Sequence, residues 1–215
     1  MASSTLLNTP TQPAQFTLEE KKSVFIGYAA QCATVEEALA FVELVREEHP
    51  KARHVAFAAL VHGDGGQLAE RMSDDGEPSG TAGRPLLEVL HKADVTDCAV
   101  CVVRYFGGVL LGAPGLMRAY GSAAREAVKR GDLARLVEHR EGKVTVEYAH
   151  LESLERLIAQ FRGTVSDRDF SDVVGLEFTV PESDRDNFVK AITQAFNASV
   201  GVAWGETQQV AVKRR

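Results

Sequence analysis

Cysteine is scarce in this chain: three residues, an odd number, give no basis for a disulfide framework and fit a reducing compartment. No apolar run approaches the roughly 18 residues needed to cross a bilayer, and the start lacks the basic-then-apolar pattern of a secretory signal. A cytoplasmic protein with no membrane contact is therefore expected. Positive charge is also short, with 24 Lys and Arg against 30 Asp and Glu, and both halves of the chain divided at Val137 are net acidic. That excludes a strongly basic nucleic-acid binder, so any anion site must come from local clustering. No Lys-Ser or Lys-Thr follows Gly112, which excludes a Walker-type phosphate loop, and no Gly-x-Ser-x-Gly elbow supports a hydrolytic triad. What is present is ordinary globular material. The 215 residues are 45% hydrophobic and 25% charged, enough to pack a core without disulfides or metal.

Periodicity divides the chain into a tail and two domains. Residues 1–15, rich in Ser, Thr, Pro and Gln, read as a disordered tail. Residues 16–137 read as an α/β sandwich. It has a strand from Ser23 to Cys32, then a helix opened by Thr34 with Glu37 three residues on, as in a capping box, and stopped at His49-Pro50. A β run follows from His54 to Val61. A polar loop of about 20 residues from His62 to Gly83 is long for a compact domain and calls for a functional reason. A short helix begins near Pro85, a buried strand runs from Cys98 to Val103, and a helix starts at Pro114 and ends before Gly131. Leu116, Tyr120, Ala123 and Ala127 form its apolar face, while Arg118, Ser122, Arg125 and Lys129 recur on the other side as an exposed basic stripe. Residues 138–215 restart the pattern in the order β-α-β-β-α-β, which is ferredoxin-like.

Two glycine-rich signatures carry the candidate site. The first is Ser73-Asp74-Asp75-Gly76-Glu77-Pro78-Ser79-Gly80-Thr81-Ala82-Gly83-Arg84-Pro85. The second is Arg104-Tyr105-Phe106-Gly107-Gly108, continuing through Gly112 and Gly115 to Arg118-Ala119-Tyr120. Arg84 and Arg118 stand at helix starts, where the partial positive charge of the helix favours acidic groups. If those starts converge with Arg104, backbone N–H groups and guanidinium forks together suit a phosphate or carboxylate. The alternative is that each arginine meets water or pairs with Asp74, Asp75 or Glu77. The three acids do not have the spacing of a calcium loop, and no metal or cofactor is expected. Tyr105, Phe106 and Tyr120 read as core aromatics rather than a stacking platform. Cys98 and Cys101 have Cys-x-x-Cys spacing, but in a strand they face opposite sides and read as packing.

The two signatures resemble those of the IMPACT/YigZ family. The likeness covers residues 20–132, and the C-terminal part is similar to the ferredoxin-like domain of bacterial members. It implies a first domain with the left-handed βαβ fold shared with a small-subunit ribosomal protein and domain IV of elongation factor G. Eukaryotic members of the family are translation regulators, although they carry a different accessory domain. Pro114 stands where the family usually has glycine, and an asparagine is usual near Val55. The resemblance and the residues together imply a noncatalytic, translation-associated protein, with RNA, the ribosome or a translation-related protein as partner. An enzyme acting on a phosphorylated or carboxylated small molecule, with Asp74, Asp75 or Glu77 as acid, base or ligand, is the alternative.

Overall fold

The computed structural model describes residues 4–62 and 67–213. The chain forms two compact units, residues 1–136 with 211–215, and residues 137–210. Part of the long 62–83 loop, residues 63–66, lies outside the described residues, as do the first three residues of the tail and the last two of the basic C-terminus.

In the first unit, β2 (Ala14–Glu20), β3 (Ser23–Gln31), β6 (Cys98–Tyr105), β4 (His54–His62) and β5 (Leu68–Ser73) lie side by side in that order, with every neighbour antiparallel. The central strand β6 is a nearly unbroken apolar run because both of its faces are covered. Cys98, Val100 and Val102 point into one core, beneath α2 (Gly83–Ala93) and α3 (Gly112–Arg130), while Ala99, Cys101 and Val103 point into the other, beneath α1 (Val35–Glu48). The two cysteines of the Cys-x-x-Cys spacing thus sit in different cores, both wholly buried and free. Burial also pushes the Cys32 thiol up to about 12, so it stays protonated at neutral pH.

Thr34 caps α1 by accepting from the Glu37 amide at 3.2 Å, and Glu37 reaches back to the amide of Ala33 at 2.7 Å. That reciprocal arrangement is a capping box displaced by one residue. Along α1, Ala38, Phe41, Val42 and Val45 are buried, whereas Leu39 is 46% exposed.

Three sequence expectations change in this unit. The tail is not wholly unstructured: β1 (Ser4–Leu6) pairs with the opening residues of β7 (Leu133–Val146), Leu6 opposite Leu133, and Leu6 is fully buried. A single leucine that finds a core pocket outweighs the polar composition around it. The long loop contains β5, missed because an edge strand with both sides wet shows little alternation. Finally, α3 begins at Gly112, two residues before Pro114.

In the second unit, β7 pairs antiparallel with β9 (Val174–Pro181), β9 pairs antiparallel with β8 (Thr164–Phe170), and β10 (Val202–Lys213) pairs β7. Two helices, α4 (Leu151–Gln160) and α5 (Arg185–Ala195), supply Leu154, Ile158, Phe188 and Ile192 to a core shared with Val174, Leu176, Phe178 and Val180. Trp204, the only tryptophan, lies against Phe178 and Phe188 with ring centroids 6.0 and 6.2 Å away. Among the described residues, no helix lies over the opposite side of the sheet. Ser183 lies in a 3-10 turn, and Asp184 precedes α5 without a side-chain capping bond.

Candidate anion-binding face

The first signature folds around its three carboxylates. Asp74 accepts from the amides of Gly80, Ala82 and Gly83 at 2.8, 2.9 and 2.9 Å. It therefore satisfies amides at the start of α2 that no neighbouring side chain caps. Burial raises its pKa, but the three N–H donors outweigh burial and hold the carboxyl below its ordinary value. Asp75 receives both terminal nitrogens of Arg46 at 3.2 Å and the Val55 amide at 2.6 Å. It does so at a backbone φ of +47°, followed by Gly76 at +84°. Two consecutive left-handed residues turn the chain so that Asp74 and Asp75 face different partners. Val55 enters this contact through its backbone amide alone. Thr81 is buried, its hydroxyl donating to the Pro78 carbonyl at 2.6 Å.

Glu77 goes inward. Its Oε1 accepts from Arg104 Nη1 at 2.7 Å and from the Tyr120 hydroxyl at 2.8 Å. The Glu77 and Arg104 side chains are only 3% and 8% exposed. The guanidinium carbon lies 5.5 Å from the ring centroids of both Phe25 and Phe106, within range of a cation–π attraction. Tyr120 is wholly buried, edge-on to Phe25, and burial followed by the Glu77 charge drives its hydroxyl pKa far up. Arg104 therefore does not converge with the helix-start arginines on a free anion; it is held by Glu77 because a guanidinium this far from water needs a countercharge. The same contacts occupy the acids that an acid–base or ligand role would need. Among the described residues, no group of three His, Cys, Asp or Glu side chains stands close enough to hold a metal.

The second signature runs outward from Arg104. Tyr105 is half-buried, its hydroxyl bonded to His49 Nδ1 at 2.9 Å, while His49 Nε2 bonds Tyr28 at 2.6 Å. This Tyr–His–Tyr chain escaped sequence reasoning because its members are scattered across three elements with no shared motif. Phe106, expected in the core, is 56% exposed, and Val109 and Leu110 beyond it are exposed too. Gly107 explains the path: a Cβ there would lie 2.0 Å from the Lys22 carbonyl, so only glycine lets the loop press against the hairpin turn. Its amide donates to the Ser23 hydroxyl at 3.1 Å. Gly108 and Gly112 take positive φ, and Gly115 packs on Leu111.

Arg84 and Arg118 stay at the surface, but not alike. Arg84 lies 3.6 Å from Glu88. Arg118 makes no hydrogen bond or ion pair among the described residues, and neither does Arg125 one stripe position on. Both line a groove of about 760 Å³ between α2 and α3. The expected basic stripe thus borders a concave surface rather than open solvent.

Fold and site define a two-domain α+β protein whose first unit carries a charged double-signature surface. Compared with known proteins, the model of the Impact N-terminal domain matches residues 21–128, and that of a domain of unknown function, DUF1949, matches residues 144–199. IMPACT family member YigZ of Escherichia coli strain K12 is 41% identical over 174 residues, covering 80% of this chain and 84% of that one. A Saccharomyces cerevisiae relative, named Protein IMPACT homolog, is 34% identical over 129 residues, 56% of this chain and 49% of that protein. A solved structure described as that of a hypothetical protein covers 96% of this chain and 99% of that one, at 36% identity and a TM-score of 0.63. The chain belongs to the IMPACT family. Among the described residues, no helix is long and apolar enough to cross a membrane.

Proposed function

We propose that this chain is a noncatalytic, translation-associated binding protein of the cytoplasm, and that the α2–α3 side of its first unit recognises an anionic partner. RNA, the ribosome or a translation-related protein is the partner class. The translation link rests on family membership, since the resemblance implies translation control for eukaryotic members. The observation that carries the anion site is the exposure of Arg118 and Arg125 beside a groove, neither held in a hydrogen bond or ion pair among the described residues. A guanidinium left unpaired on a concave surface is suited to carboxylate or phosphate. The finer fold readings support this setting. The β10-β7-β9-β8 order of the second unit agrees with a ferredoxin-like arrangement, and the first unit is read as the left-handed βαβ fold of translation proteins.

The test is co-sedimentation of the full chain with ribosomes from lysate, with and without nuclease. The Arg118→Glu/Arg125→Glu double variant should lose at least tenfold in retention at low salt while keeping its circular dichroism spectrum. Retention unchanged by the double variant would remove this face from ribosome binding. Arg104 is unsuitable for such a test because its removal disturbs the core.

A further inference from the structure

The groove between α2 and α3 has a floor and a rim of different chemistry. Val89, Ala93, Met117 and Val128 give an apolar floor, and Gly121 leaves a gap midway along α3. Glycine inside a helix costs about 1 kcal/mol relative to alanine, and here its missing side chain keeps the trough open. A Cβ at Gly121 would meet only Pro85, at an ordinary 3.8 Å, so close packing does not require the glycine. On the α3 rim, Arg118 and Arg125 stand seven residues apart, about 10 Å along the axis. On the α2 rim, Glu88 is already engaged by Arg84 and Lys92 at 3.6 and 3.5 Å, so the net field over the trough is positive.

We propose that this groove takes an amphipathic helix from a partner protein, its apolar face on the floor and two acidic residues, seven apart along one flank, on Arg118 and Arg125. This deepens the reading above and rests on it. Two helical ridges side by side, separated by a trough of small and flexible side chains, suit a third helix, and methionine adapts to varied apolar partners. The 11 residues of α2 set the trough length at about 16 Å, three turns, which brings positions seven apart onto both arginines. RNA fits less well. No aromatic side chain lines the groove, whereas single-stranded bases are held chiefly by stacking on aromatic rings.

The experiment uses the full chain and two fluorescent helical peptides with identical Leu/Ala faces, one bearing Glu at two positions seven apart and the other Lys there, read by anisotropy. The Glu peptide should bind at least tenfold more tightly than the Lys peptide, and Arg118→Glu/Arg125→Glu should reverse that preference. Gly121→Leu, which fills the trough, should weaken Glu-peptide binding at least tenfold. Met117→Glu should do the same at a position 42% exposed, where folding is not at stake. Equal binding of both peptides, or binding indifferent to Met117→Glu, overturns the proposal. A poly(U) oligonucleotide that binds Arg118 and Arg125 in place of the peptide also overturns it, while leaving the anion-recognising face standing. Peptide binding with all these dependences, but ribosome retention unaffected by the arginine variants, upholds the groove and sinks the ribosomal reading alone.

Discussion

Among the described residues, the first unit covers both faces of its sheet with helices, whereas the second places helices on one face only. The difference shows in what each interior tolerates. In the first unit, an ion pair and a tyrosine hydroxyl are buried together as Glu77, Arg104 and Tyr120, and they tie the acidic loop to strand β6 and helix α3. In the second, the core holds an aromatic cluster: Phe178, Phe188 and Trp204 contact one another, and Phe161 packs on Phe188. Its uncovered face carries Asp167, Glu177 and Asp169 beside Lys143, which pairs with Glu177 across the strands. That face is dominated by carboxylates and would repel phosphate. The two units thus present different surfaces: unpaired arginines line a groove between helices on the first, and carboxylates line the exposed strands of the second.

The sharpest way to test this contrast is a matched pair of core truncations. Phe188→Ala should cost about 3–5 kcal/mol through lost packing, and Arg104→Ala a comparable amount by stranding the Glu77 charge. Trp204 fluorescence should report the first as an earlier urea transition and pass over the second, which amide exchange in β6 would detect. A Trp204 transition displaced by Arg104→Ala would mean that the two units melt as one. Next in size, Glu77→Gln keeps an acceptor for Tyr120 and Arg104 but removes the countercharge. A loss of about 1–3 kcal/mol is expected, and a loss below 0.5 kcal/mol, on the order of an ordinary surface change, would show that the charge is dispensable.

Asp74 offers a smaller, pH-dependent test. Its carboxyl has a lower pKa folded than unfolded, so its contribution is present above the unfolded value, about 3.9, and is lost as pH falls through the folded one. Asp74→Asn should cost about 1 kcal/mol at neutral pH, as the loss of a cap does, and should flatten the acid limb of the denaturation midpoint. An acid limb identical to that of the parent protein would assign the sensitivity elsewhere. Smallest of all, Lys143→Ala on the bare sheet should leave the Trp204 midpoint unchanged, since an exposed cross-strand pair is screened by water; a clear shift would show that this face is covered in solution.

How much of this was legible in the sequence depended on how local its cause was. Thr34, Glu37 and His49-Pro50 bounded α1 because capping and proline geometry act within a few residues. The basic stripe of α3 followed from a 3.6-residue period. The edge strand Leu68–Ser73 and the buried strand at Ser4–Leu6 did not show, since neither has enough alternating apolar residues to betray a face; each is held by a neighbour distant in sequence. The site was half legible. Both signatures were visible as unusual, but spacing cannot reveal that Asp74 serves amides six to nine residues on, or that Arg104 turns inward to Glu77 while Arg118 turns out.

The Glu77–Arg104–Tyr120 contact joins segments 27 and 43 residues apart, and such closures come late when a chain must pay loop entropy before it gains the contact. Its consequence is kinetic: the contact should be largely absent from the folding transition state, so Glu77→Gln should leave the refolding limb of a chevron plot in place and steepen the rate of escape from the native state. The latch would then set how long the acidic loop stays shut, rather than how quickly it first closes.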